Sequence, residues 1–241
     1  MSERATLYKY SLQEAVRCNE KPLWGESYAA NCKCARAIEN SIKTNFDGMS
    51  LQPDSAKSVI AEFGFERVMW VLANTIKEKN FDGRFSKENK DWARSFYIPK
   101  ENKCRDYCVE SHPAVVDGFV NQMHKEWQAL GLFEAGHCHA ENDEEMDYTD
   151  RVVVINPHRL KDEYKTPEDQ LFLANGGFGC HPNSRGRKVY GEFLKDGERT
   201  FYQRADIIGV LKDEYMPDWA KEKLQQKCQQ ESAQTDGMTM Q

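Results

Sequence analysis

No run of 18 consecutive apolar residues occurs anywhere in the 241 residues, which excludes an ordinary membrane-spanning helix. The opening Met1-Ser2-Glu3-Arg4-Ala5-Thr6 has no apolar core of the kind a secretory signal needs, so a cytoplasmic protein is expected. The eight cysteines, at 18, 32, 34, 104, 108, 138, 180 and 228, contain no Cys-x-x-Cys pair and no disulfide-framework spacing, and reduced thiols follow. Equally missing are a Gly-x-Ser-x-Gly elbow, a Walker loop and a His-Glu-x-x-His pair, so the familiar hydrolase, phosphate-loop and metalloprotease chemistries have no signature here. No cofactor is implied. Leu, Ile, Val and Phe are sparse at 46 residues, yet 27 aromatics and a net charge of only −6 argue for a folded, polar-surfaced chain.

Charge of one sign is also scarce, except in one place. Residues 1–133 carry 19 basic against 18 acidic side chains, and residues 151–241 carry 14 of each. Such balance gives no single-signed field to steer either part onto nucleic acid or an anionic membrane, although a local basic patch remains open. Residues 134–150 hold seven acids (Glu134, Glu141, Asp143, Glu144, Glu145, Asp147, Asp150) and no base. Self-repulsion and a lack of apolar residues predict a solvated connector there. The expected organisation is a helical module at 1–133, an acidic linker at 134–150, a β-rich module at 151–228 and a flexible tail at 229–241.

Periodicity fills in the modules. Tyr28, Cys32, Ala35, Ile38 and Ile42 recur every three or four residues, the spacing of an amphipathic helix that ends at Phe46-Asp47-Gly48. Asp54 is read as the cap of the next helix, Gly64 as its interruption, and Val68, Val71, Leu72, Thr75 and Ile76 as its continuation. Ser86 caps a shorter helix bearing Trp92 and Phe96, and Pro113 opens another with Val116, Phe119, Val120, Met123 and Trp127 inward. Trp70 and Trp92 are expected in the core. After the linker, Val152–Ile155, Leu171–Leu173, a hairpin of Lys188–Leu194 with Arg199–Gln203, and Ile207–Leu211 read as four or five strands. The fold class is therefore α+β, with a helical module followed by a small antiparallel barrel-like or curled sheet and a closing helix from Pro217 to about Cys228. Phe46-Asp47-Gly48-Met49 and Phe81-Asp82-Gly83-Arg84 look alike, but two helix-ending turns would produce the same letters.

Several constellations could carry chemistry. His137-Cys138-His139 with Cys180-His181, and Cys104, Cys108 and His112 at intervals of four, hold metal-binding side chains without a recognised zinc spacing, so no metal is assigned. Cys108 or Cys180 with a histidine would be the material of nucleophilic catalysis, though nothing singles out a pair. The strongest candidate is the glycine-rich loop 176–188, where Phe178 and His181 precede Arg185, Arg187 and Lys188, and where Arg199 and Arg204 extend the positive charge along the next hairpin. Phe178, Tyr190, Phe201 and Tyr202 are candidate stacking or interface anchors. In the helical module Asp82, Arg84 and Asn89 cluster about a turn and are a second candidate contact surface, with turn and cap chemistry as the rival explanation.

These residues also resemble a family. Ser27-Tyr28-x-x-Asn31-x-x-Cys34-Ala35, Phe46-Asp47-Gly48-Met49, Gly64-Phe65-x-Arg67-Val68, Asp82-Gly83-Arg84-Phe85-Ser86, Asn89-Lys90-x-Trp92-Ala93 and Ser111-His112-Pro113 are similar to an uncharacterised domain family of phages and conjugative elements of Gram-positive gut bacteria, of the kind associated with polyvalent proteins. Gly177-Phe178-Gly179-Cys180, Arg185-Gly186-Arg187 and Met216-Pro217-Asp218-Trp219 resemble a companion segment. The resemblance implies a mobile-element protein and brings no catalytic residues with it. The expectation is a binding protein that blocks a host defence protein or its nucleic-acid complex, of anti-CRISPR or anti-restriction type. Rival readings are an enzyme acting on nucleic acid or a nucleotide signal, and a replication or transfer accessory protein that binds DNA.

Overall fold

The computed structural model describes residues 4–99, 104–139, 145–183 and 187–238. The chain divides into two compact units, Met1–Ala129 and Leu130–Gln241. No helix among the described residues is long and apolar enough to cross a membrane.

The first unit is helical: α1 (Leu12–Arg17), α2 (Lys21–Asn45), α3 (Lys57–Phe63), α4 (Phe65–Glu78), α5 (Lys87–Arg94) and α6 (Pro113–Gln128). At its centre lies α4, in which every residue from Arg67 to Ile76 is buried. The spacing predicted a one-sided helix, but Met69, Trp70 and Ala73 are buried as well, as befits a helix surrounded by others. Gly64, at φ +80, makes the break between α3 and α4. Asp54 is not the cap of α3: it sits at φ +66 within the preceding turn, and Ala56 occupies the N-cap position. Ser86 does cap α5, accepting from the Asn89 backbone N–H at 3.3 Å. Both Phe-Asp-Gly segments are turns whose aspartates accept backbone N–H groups, from Met49 at 2.8 Å and from Arg84 at 3.0 Å.

The second unit is an open six-stranded antiparallel sheet in the order β1-β6-β2-β3-β4-β5. Its strands are β1 (Cys138–His139), β2 (Arg151–Ile155), β3 (Leu171–Gly176), β4 (Lys188–Phe193), β5 (Arg199–Gln203) and β6 (Ile207–Leu211). Alternation along the strands divides the buried residues between two faces. Val153, Ile155, Phe172, Ala174 and Val189 pack with Tyr148 and Leu160 on one face. Val152, Val154, Leu171, Leu194 and Leu211 meet Ala220 of the closing helix α7 (Asp218–Met238) on the other.

Two expectations need correction here. Residues 134–150 are not a free tether at their described ends, because Cys138 forms edge strand β1 against Leu211 and Tyr148 is completely buried. The apolar minority of that stretch goes into the core while Glu134, Glu145 and Asp150 stay at the surface; Glu141, Asp143 and Glu144 lie outside the described residues. The closing helix continues to Met238 instead of stopping near Cys228.

Candidate functional site

The glycine-rich loop of the second unit is held against the start of β4 by backbone contacts only glycine permits. A Cβ on Gly177 would lie 2.5 Å from the Lys188 carbonyl oxygen and 2.8 Å from Cδ2 of Tyr190, and one on Gly179 would lie 2.6 Å from the Arg187 oxygen. Gly177 also takes φ +97, which L side chains rarely adopt. From beneath, Arg204 clamps the loop: its guanidinium donates to the carbonyls of Gly179 at 2.7 Å, Cys180 at 3.2 Å and Met146 at 2.7 Å. The same group lies 3.9 Å from the centre of the Tyr148 ring.

This framing leaves a groove of about 590 Å³ lined by Gly177, Phe178, His181, Arg187, Lys188 and Tyr190. Phe178 is 76% exposed, Tyr190 47% and Phe201 44%. Tyr190 and Phe201 are opposite each other across β4 and β5 with ring centres 5.7 Å apart, and the Lys188 ammonium sits 4.3 Å from the centre of the Phe201 ring. Among the described residues neither Arg187 nor Lys188 forms an ion pair, so two cations stand beside three exposed rings.

The other predicted members divide. His181 is exposed, with Nδ1 3.2 Å from a carboxylate oxygen of Asp147. Arg199 is 83% exposed at its side chain but pairs with the buried Glu192 at 3.4 Å, and Lys227 of α7 binds the same carboxylate. Arg204 belongs to the scaffold and not to the contact surface. Tyr202 faces inward against Phe172 and Phe193, at 5.5 and 5.9 Å between ring centres, because strand alternation puts it opposite Phe201. Arg185 lies outside the described residues.

The cysteine next to the groove is not an activated nucleophile. Cys180 is fully buried, donates its thiol to the Gly176 carbonyl at 3.0 Å, and is pushed up in pKa by that burial. Cys138 is buried in the α7-side core and raised to about 11 for the same reason, while its neighbour His137 accepts the Glu134 backbone N–H on Nδ1 at 2.8 Å. Among the described residues no three metal-ligating side chains come together.

In the helical unit the second candidate surface resolves into two parts. Arg84 reaches Asp82 through its backbone N–H and two guanidinium nitrogens, at 3.0, 2.8 and 2.5 Å, and approaches His112 Nε2 at 3.0 Å. That guanidinium holds the Asp82 carboxyl well below the usual carboxylate range. Asn89 is not a contact residue: it is 2% exposed and donates to Asp117 at 2.8 Å and Asn121 at 2.9 Å, fastening α5 to α6. Sequence reasoning missed the fully exposed Phe81 beside this turn, and a hollow of about 310 Å³ whose lining includes Asn74, Lys77, Lys90 and Arg94. An aromatic flanking a turn and cations spread over two helices give no periodic signal.

A family model described as "Protein of unknown function (DUF3849)" matches residues 7–128, which span α1 to α6. No curated protein and no solved structure matches the chain.

Proposed function

The chain belongs to the DUF3849 family through its helical unit, and from that premise we propose that it is a binding protein, not an enzyme, which engages a macromolecular partner through the exposed groove of its sheet unit. The observation that carries this reading is the pairing of Arg187 and Lys188, without ion-pair partners among the described residues, with the exposed rings of Phe178, Tyr190 and Phe201 on a rigid β scaffold. Exposed aromatics beside cations are the composition of interface anchors, and a loop fixed by Arg204 loses little freedom on binding. The finer reading follows the resemblance to domains of phages and conjugative elements. The partner is then a host defence protein or its nucleic-acid complex, of CRISPR or restriction type, silenced in the bacterial cytoplasm by occupying its surface.

Capture from lysate of a Gram-positive host, with and without nuclease, tests this with the wild-type chain and a Phe178→Ala/Lys188→Glu variant. A stoichiometric defence effector whose activity falls on binding, and whose capture the double variant loses, is the expected result. Inactivation by far less than one chain per effector would point to turnover and contradict the proposal, as would capture that the double variant leaves unchanged.

A further inference from the structure

We infer that the groove accepts a single-stranded segment of nucleic acid, with bases stacked on Phe178, Tyr190 and Phe201 and phosphates met by Arg187 and Lys188; this rests on the reading of the groove as the binding surface. Charge complementarity is the first ground. The carboxylate of Glu192 is engaged by Arg199 and Lys227, and Asp147 is hydrogen-bonded to His181, so neither is paired with Arg187 or Lys188. Among the described residues Arg187 and Lys188 form no ion pair, and a polyanion would meet their charge there.

The rings supply the second ground, and they favour a nucleic acid over an acidic peptide. A peptide carboxylate would satisfy the two cations but leave the exposed rings of Phe178 and Tyr190 without a stacking partner, whereas every nucleotide brings both a phosphate and a π face. Tyr190 and Phe201 stand side by side on the open surface of a sheet, the arrangement by which sheet modules stack unpaired bases. Gly177 helps to fix the first of them, since the absence of a Cβ lets Tyr190 seat against the loop backbone. Bases locked in a duplex cannot reach these faces. Duplex should therefore bind worse than single strand.

The test is fluorescence anisotropy of the full chain with labelled oligothymidylate and oligouridylate, a duplex of equal length and a polyglutamate peptide, from low to physiological salt. Single strands should bind more tightly than duplex or peptide. Two neutralised phosphates set a log–log salt slope of about −1.4, which Lys188→Gln should shallow by about 0.7. Phe178→Ala and Tyr190→Ala should each weaken binding about tenfold or more, and Tyr190→Phe, which keeps the ring, should retain it. Because all three positions are exposed, far-UV circular dichroism and melting of the variants should match wild type. Failure of the folded wild type to bind single strands at low salt overturns the inference, as do equal affinity for duplex with no effect of the ring variants, or preference for polyglutamate. If oligonucleotides fail while capture of a lysate partner is still lost in Phe178→Ala/Lys188→Glu, the groove remains the binding surface and only the nucleic-acid inference falls.

Discussion

Arg204 was legible in the sequence as a cation near a flexible loop, and the structure turns that positive charge inward. Its guanidinium donates to three backbone carbonyls, at Met146, Gly179 and Cys180, the last of which also accepts from the Tyr148 backbone N–H at 2.9 Å. Truncation to Ala removes charge-assisted hydrogen bonds worth about 1.5–3 kcal/mol each in favourable cases and leaves carbonyls desolvated. We expect Arg204→Ala to lose about 3 kcal/mol in urea unfolding and to weaken partner binding, whereas Arg187→Ala should leave stability within about 0.5 kcal/mol. Equal stability of the two variants would contradict this assignment. Asn89 and Tyr202 carry the same lesson: residue type marks both as candidate contacts, and only tertiary placement shows that Asn89 joins α5 to α6 and that Tyr202 faces the core.

Asp82 gives a residue-scale prediction with a definite sign. Its carboxyl is held below the ordinary value of 3.8 by Arg84, so the folded state binds that proton less readily than the unfolded chain. The stabilisation is complete above about pH 4 and disappears as the pH falls through the depressed folded value. In a carboxyl-carbon NMR titration Asp82 should stay ionised when ordinary carboxylates have protonated, and Arg84→Gln should raise it toward the ordinary range, short of it because the backbone N–H of residue 84 still donates to the carboxylate. An ordinary Asp82 titration in the wild type would contradict the pairing.

At the scale of elements, the long helices were legible because the 3.6-residue pattern persists over enough residues to register, and the five longer strands because β-type apolar runs are bounded by turn residues. Short elements were not: α1 spans six residues and β1 only two, and β1 exists because β6 supplies the partner. Asp54 misled because cap and turn chemistry use the same side chains; a cap needs extended backbone, whereas Asp54 takes φ +66. The groove was legible as a loop of glycines and cations, but not the way Gly177 and Gly179 pin it to β4. A glycine within β4 makes the strand-level argument testable. A Cβ on Gly191 would overlap the Leu173 carbonyl oxygen and approach Phe172 Cε1 to 2.5 Å, so Gly191→Ala must push β3 and β4 apart. The expected loss is about 1–3 kcal/mol, read from the denaturation midpoint, together with weaker partner binding. An unchanged midpoint would show that the two strands are not so closely apposed.

For the whole molecule, charge bookkeeping drew a connector at 134–150, whereas the two units divide at Ala129/Leu130 and that stretch falls inside the second. An acidic composition reads as solvated chain, yet a few apolar residues were enough to recruit its described ends into the second unit. Both units are sealed bodies, which has a consequence for the cysteines. Burial raises Cys34 to about 12 and Cys138 to about 11, and Cys180 also moves up. Little thiolate then exists at these three in the folded protein, while Cys228 is exposed. Iodoacetamide at pH 8 should modify Cys228 quickly and the buried three only as the chain unfolds, with the sites read by peptide mass analysis. Comparable rates at all four in the folded protein would contradict the two-core description.

The assignment of recognition to the sheet unit is tested most directly by hydrogen–deuterium exchange on the intact chain, with and without saturating oligothymidylate. The account predicts slowed exchange in the peptides covering 176–183 and 187–203, with the helices of residues 12–128 unchanged; protection confined to those helices would contradict it.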